Sequence, residues 1–406
     1  MSNLEQTFPL LKVLLVMIVP LTIDLPRSIF KALALLAAYV KRNWHKRREG
    51  VVLRYPFLSV IVPAHNEEDL IERCLEALIS VNYPRLEIIV VDDGSTDKTY
   101  EKASKYAVRG LIKLVRREKT SGRKAIAVNH GLKFTRGDII VVIDADTVIG
   151  KDSLTEVIQP LLEDGVGAVA GNIRVLNEKE NFLTKLQSYE YMLAMEVGRL
   201  LQSMANLLLI VPGAFGAFRR RIVEGVGEYD VDTITEDFDL TIKIHKVKQA
   251  VRFAPNAIAW TVVPATWRGW VRQRVRWAKG QIITLAKHWN LLFKARFGRV
   301  GTVGVPDMIF MDVVLLFLRI AWIVLVLFFS LISFSLTSLM VFALIVTFYM
   351  VNELIVTIPC FLYIEGWRGL KRLAYAPLMV LLYRPLHSLV RLKAYLEALV
   401  RKETGW

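Results

Sequence analysis

Between residues 57 and 144 the chain repeats one pattern, a short apolar run followed by a helix-like stretch, and that alternation leaves few folds open. Residues 57–62, 87–91, 111–115 and 138–143 read as buried strands. Asn66 and Glu67 open a helix pattern with Leu70, Ile71, Cys74, Leu75 and Leu78 on one face. A second helix starts near Thr96. A third follows as Lys124-Ala-Ile-Ala-Val-Asn-His. Such alternation predicts an α/β domain whose mostly parallel sheet is covered on both faces. Ligands of such sheets bind beyond the carboxyl ends of the strands. Pro63, Asp92, Asp93, Asp144 and Asp146 all fall at those ends.

Apolar residues make up 54% of the 406, too many for the α/β part alone, and the excess lies at both ends. Three parts are therefore expected: a membrane segment at 1–50, the α/β domain at 51–300, and transmembrane or interfacial helices at 301–406. The first apolar block, 8–40, is interrupted by Lys12, Asp24, Pro26, Arg27 and Lys31. It fits one tilted or kinked span, or an interfacial pair. It lacks the basic start and small-residue cleavage site of a signal peptide. Residues 309–336 are long enough to span, with Asp312 and Arg319 seven apart and so on one helix face. Charges in such segments face the protein interior or a watery path. A second span, 340–363, carries Asn352 and Glu353. A third stretch, 373–390, is broken by Arg384 and Pro385 and reads as interfacial or re-entrant.

The net charge of +15 is concentrated beside the apolar ends. Lys41, Arg42, Lys46, Arg47 and Arg48 follow the first block, and residues 268–299 contain no acid. Positive flanks point to the cytoplasmic side of a cell membrane and to anionic lipids as partners. The same distribution argues against nucleic acid. Two cysteines, Cys74 and Cys360, suggest buried small hydrophobes and no disulfide or metal framework.

Five acidic or aromatic clusters carry the chemistry. Asp144-Ala145-Asp146 offers two carboxylates for a hard divalent cation and diphosphate oxygens, or simply a turn. Asp92-Asp93-Gly94-Ser95 can accept hydrogen bonds from a base or ribose, or can start a helix. Pro63-Ala64-His65-Asn66-Glu67 carries the same two possibilities, so Pro63 and Glu67 join the candidates for nucleotide binding. Thr235-Glu236-Asp237 suits a helix start, where acids favour the dipole, or a general base that takes a proton from an attacking hydroxyl. Gln273-Arg274-Val275-Arg276-Trp277 fits headgroup anchoring, or Arg276 on phosphate with Trp277 under a sugar ring. Trp260, Trp267 and Trp270 extend that aromatic path.

These clusters, in this order, resemble the inverting family-2 glycosyltransferases over residues 58–277. The closest subgroup is the membrane synthases of hyaluronan, chitin, cellulose and poly-N-acetylglucosamine. The resemblance implies a GT-A (Rossmann-like) fold, a nucleotide-sugar donor such as UDP-N-acetylglucosamine, and a magnesium or manganese ion (Mg2+ or Mn2+). It places Asp93 at the uridine, Asp144 and Asp146 at diphosphate and metal, and Asp237 as base. Gln273, Arg276 and Trp277 would hold the diphosphate and acceptor. Phe215 and Arg219 match the acceptor-side segment, and Lys124 a basic position ahead of the metal strand. The acceptor is then a growing glycan or a membrane lipid. A multi-pass membrane enzyme with a cytoplasmic catalytic domain is expected. A non-catalytic membrane component of the same fold is the rival from another class.

Overall fold

The computed structural model describes residues 17–45, 55–332 and 336–400. The start of the first apolar block and Lys46, Arg47 and Arg48 lie outside the described residues. The chain forms two compact units, Val52–Asp307 with Lys393–Trp406, and Met1–Val51 with Met308–Leu392.

The larger unit is built on eight strands in the order β3-β2-β1-β4-β7-β6-β8-β5. They are β1 Leu58–Ala64, β2 Leu86–Asp93, β3 Lys113–Arg117, β4 Ile139–Ile143, β5 Thr147–Ile149, β6 Val166–Val175, β7 Phe215–Arg219 and β8 Ala250–Thr261. Strands β1 to β4 are mutually parallel, as the alternation predicts. Beyond β4 the sheet becomes mixed. β7 runs against both β4 and β6, and β5 runs against β8. Successive side chains of a strand point to opposite faces. Val60 and Val62 therefore join one core with Ile71, Cys74 and Leu75, while Ile61 joins another with Val91, Val128 and Leu132. Cover on both faces explains why these strands are continuously apolar rather than alternating.

The first helices begin later than their sequence signals. Helix Ile71–Ile79 starts past Asn66, which adopts a positive φ of 56°. Asn66 instead ties two loops together: its Oδ1 accepts from the Thr96 amide at 2.9 Å, and its own amide donates to Ser95 Oγ at 3.1 Å. Helix Thr99–Val108 likewise starts after Asp97, whose Oδ1 accepts from the Thr99 amide at 2.9 Å. Competing side-chain bonds of this kind hold polar residues in turns.

The smaller unit is helical. Its helices include Leu25–His45, Leu315–Ile332, Leu336–Glu365 and Arg384–Val400, the last continuing into the larger unit. Asp24 takes Arg319 as ion partner and accepts from the Tyr349 hydroxyl at 3.0 Å. Glu353 is buried and pairs with Arg384 at 2.5 Å, and Asp312 pairs with Arg391 at 3.2 Å. These charges of the apolar helices are thus matched within the protein. Asp312 and Arg319 have partners in different parts of the chain. The π-helical turn Ile309–Val314 interrupts the regular phase on which the one-face expectation rested. Among the described residues one helical stretch, Leu339–Val400, is long and apolar enough to cross a membrane, with a mean hydropathy of 2.2. Both cysteines are buried and not joined in a disulfide.

Candidate active site

The site forms where β1, β2 and β4 end. β4 stops at Ile143, and the next residues turn sharply, with the Thr147 amide bonded to the Asp144 carbonyl at 3.0 Å. Ala145 is buried, and Asp144 and Asp146 flank it half-exposed. Asp146 Oδ1 accepts from Thr147 Oγ1 at 3.0 Å and from Thr261 Oγ1 at 3.2 Å. Burial and the neighbouring Asp144 charge push the Asp146 carboxyl up to about 6. Glu67 comes from the loop after β1. Burial, then the charges of Asp146 and Asp144, push it up to about 7. Three acids from two loops therefore lie close enough to feel one another's charge.

Lys124 answers part of that charge. It is the first residue of helix Lys124–Leu132, and its Nζ pairs with Asp144 Oδ1 and donates to the Gly213 carbonyl at 2.9 Å. Burial favours the neutral amine, but the charges of Asp144 and Glu236 outweigh it and hold the ammonium above its ordinary range. Gly213 reaches in the other direction too. Its amide donates to Asp237 Oδ2 at 3.2 Å. Asp237 sits in the first turn of helix Glu236–Lys246, where Oδ1 accepts from the Phe238 amide at 2.8 Å. Its neighbour Glu236 is pushed up to about 7 by burial and the Asp237 charge, against the pull of Lys124. Asp144, Lys124, Gly213 and Asp237 thus make one continuous chain of contacts. Glu67, Lys124, Asp144, Asp146 and Asp237, all expected from the sequence, come together here.

Pro63 and Asp93 are more structural than expected. Pairing of β1 with β4 ends at Ile61, so Pro63, which has no amide hydrogen, lies past that ladder. Asp93 is buried and gives both oxygens to the 117–121 loop: Arg117 Nη1 at 2.8 Å, and the Ser121 amide and hydroxyl at 3.0 and 2.6 Å. That loop lies directly on Gly94, whose φ of +67° and lack of a side chain make room for the Thr120 amide.

Helix Trp267–Lys287 carries Gln273, Arg276 and Trp277. Its organising residue is Arg274, which the sequence reading left unassigned. Arg274 is only 1% exposed. It pairs with Glu190 at 2.5 Å, donates to Gln273 Oε1 at 3.0 Å and lies 4.2 Å over the Trp277 ring. The signal was present: Trp270, Arg274 and Trp277 are four and three apart, hence on one face. Arg276 is exposed. Replacing Arg274 by Met breaks its ion pair with the partly buried Glu190 and is expected to cost about 3 kcal/mol, read from the denaturation midpoint.

Two expectations are corrected. Trp270 is 1% exposed and packs edge-on against Trp267, with 5.6 Å between ring centroids, so it is core and not part of a sugar path. Arg219 is remote from the acids. β7 is antiparallel to β4, so Phe215 lies opposite Ile143 at the site end and Arg219 opposite Ile139 at the far end. Arg219 donates there to the Val166 carbonyl at 2.7 Å and the Glu163 carbonyl at 2.9 Å. Phe215 is at the right edge but wholly buried.

Strand-end acids, a buried lysine and a helix-start carboxylate thus meet at one sheet edge. Residues 59–227 match the family model of glycosyl transferase family 2. The chain thus contains a glycosyl transferase family 2 domain over these residues. It is 35% identical over 266 residues to the probable glycosyltransferase YdaM of Bacillus subtilis, covering 64% of this chain and 63% of that one. It is 32% identical over 253 residues to poly-beta-1,6-N-acetyl-D-glucosamine synthase of Staphylococcus epidermidis, covering 62% and 59%. The chain thus spans about three fifths of the length of these relatives. The mannosyltransferase PcManGT of Pyrobaculum calidifontis, solved with GDP-Man and Mn2+, shares the fold. Its TM-score is 0.65 at 23% identity, over 93% of this chain and all of that one. The mixed sheet is that of a GT-A domain.

Proposed function

We propose that the protein is a membrane-embedded inverting glycosyltransferase that extends a glycan from a nucleotide-sugar donor, with UDP-N-acetylglucosamine the first candidate. The catalytic domain faces the cytoplasm. The observation that carries this is the chain of contacts Asp144–Lys124–Gly213–Asp237. It joins the acids suited to a donor diphosphate to a carboxylate suited to an acceptor hydroxyl. The similarity to poly-beta-1,6-N-acetyl-D-glucosamine synthases supports the choice of product.

A divalent cation fits the residues present. Asp144, Asp146 and Glu67 are hard oxygen donors, and burial together with the neighbouring carboxylates raises the Asp146 and Glu67 carboxyls. Among the described residues no group of three or more ligands is poised to hold a metal alone. That suits an ion held by one or two carboxylates together with substrate phosphates. Asp144 and Asp146 would hold it, and it would supply neutralisation of the leaving diphosphate. Lys124 adds a fixed cation beside Asp144. Gln273 and Trp277, fixed by Arg274, and the exposed Arg276 bind the acceptor side. Asp237 removes the proton from the acceptor hydroxyl as its oxygen attacks the anomeric carbon and the bond to diphosphate breaks. Attack opposite the leaving group inverts the configuration.

The test is purified protein with a panel of nucleotide sugars and Mn2+, with nucleotide release measured and product sized. A ladder of products supports polymer synthesis. One discrete lipid-linked product makes the enzyme a single-sugar transferase. No release from any donor removes the enzymatic reading.

The raised carboxyls also fix a pH dependence. Glu67 rises from 4.5 to about 7 and Asp146 from 3.8 to about 6, so across pH 4–7 the folded protein binds more protons than the unfolded chain. Their contribution to stability therefore falls as pH rises through that window. Bound Mn2+ removes the penalty. The Tm increment from added Mn2+ is expected to be larger at pH 7.5 than at pH 5, and an equal increment would contradict the shared acidic site.

A further inference from the structure

The helix that starts with Asp237 and the helix that carries Gln273 and Trp277 are joined by a buried polar bracket that the chemistry above does not use. Asp239 lies two residues past Asp237, about 200° round the helix, and so points to the opposite side. It is fully buried, and its Oδ1 receives a hydrogen bond from His288 Nε2 at 2.8 Å. His288 is the residue that ends helix Trp267–Lys287. Its other ring nitrogen, Nδ1, meets Lys246 Nζ at 2.7 Å. An ammonium only donates, so Nδ1 is the acceptor and the ring hydrogen sits on Nε2, aimed at Asp239.

The bracket has further ties at both ends. Lys287 reaches Asp239 at 3.1 Å, Asp230 at 2.5 Å and Asp232 at 2.9 Å, and Lys243 reaches Asp230 at 2.8 Å. Nearer the site, Thr235 Oγ1 meets Thr284 Oγ1 at 3.0 Å. Gly280 lies so close there that any side chain would collide with the Thr235 methyl. The two helices thus touch at Thr235, directly before Glu236 and Asp237, and again at Asp239.

We propose that His288 and Asp239 are positioning residues that set the register of the Trp277 helix against the Asp237 helix, and so the distance from base to acceptor. The proposal rests on Asp237 as base and on Gln273 and Trp277 as the acceptor side. Stability is a poor reason for the bracket. Asp239 Oδ2 has no hydrogen-bond partner. Buried ionic groups usually hold helices no better than apolar ones of the same size. Directional bonds do something apolar contacts do not: they fix register. His288 stands eleven residues from Trp277, roughly 16 Å along a rigid helix, so a slip at one end moves the other.

The experiment compares His288→Leu and His288→Gln with wild type, using UDP-N-acetylglucosamine and Mn2+, or the donor that the panel identifies. Transfer and acceptor-independent donor hydrolysis are measured separately. His288→Leu is expected to lower transfer kcat about tenfold, leave donor KM within about twofold, and raise the hydrolysis-to-transfer ratio about fivefold, since small misplacements act on kcat. His288→Gln keeps a donor for Asp239 and should restore most of the ratio. An unchanged ratio in folded His288→Leu overturns the proposal, as does a proportional loss of both activities. Should His288→Leu not fold, His288→Phe keeps a flat ring and removes both of its bonds, and an unchanged ratio there overturns the proposal equally. Asp237→Asn is run in parallel. Full transfer by that variant removes the base assignment itself, whereas an inactive Asp237→Asn beside an unchanged His288→Leu removes only the bracket.

Discussion

Asp237→Asn lowers sugar transfer by about 10²–10⁴-fold while leaving the fold intact, the range expected when a general base is lost. The amide has the shape of the carboxylate and keeps an oxygen for the Gly213 or Phe238 amide, each of which now donates to Asp237. What it loses is the ability to take a proton. The measurement is initial rate of product formation at saturating donor, with Tm as control. Transfer within a factor of about three of wild type, in a protein of unchanged Tm, would remove Asp237 from this role.

Asp146→Ala has the second large effect. Nucleotide release supported by Mn2+ falls at least about a hundredfold, because the diphosphate loses its main source of neutralisation. Without metal, the same substitution removes the charge that contributes most, after burial, to the raised Glu67 carboxyl. Tm in chelator at pH 7.5 therefore stays level or rises. Inactivity with undiminished stability distinguishes a ligand from a structural residue. Retained Mn2+-dependent release would move the ion elsewhere, and a large fall in Tm would make Asp146 a structural turn residue.

Local signals made the first half of the sheet readable in the sequence. Apolar runs ending in Pro63, Asp93 and Asp144 mark β1, β2 and β4, and each needs only its own neighbours to be seen. β6, β7 and β8 were not read as strands. Their pairing joins residues far apart, Ala168 to Phe218 and Asn172 to Ile258, and no local pattern states such a register. The acids of the site were legible because each ends an element. Arg274 was not, because its role depends on Glu190, a residue 84 positions away with no motif of its own. Arg219 was misplaced for the same reason. Its distance from the site follows from the direction of β7, which only pairing with β4 defines. Helix starts slipped where Asn66 and Asp97 spend their side chains on loops.

The reversal of β7 also bears on how enzymes of this build diversify. Because β7 runs against β4, the loop entering it arrives at the edge where β4 leaves. The strand-end acids and Asp237 therefore come from separate stretches of chain, bridged at this edge by Lys124 and Gly213. Leu208 and Val211, just before Pro212, are buried in the same core as Ile61 of β1, Val91 of β2 and Val142 of β4. That loop therefore cannot be exchanged without repacking the strands that carry the acids.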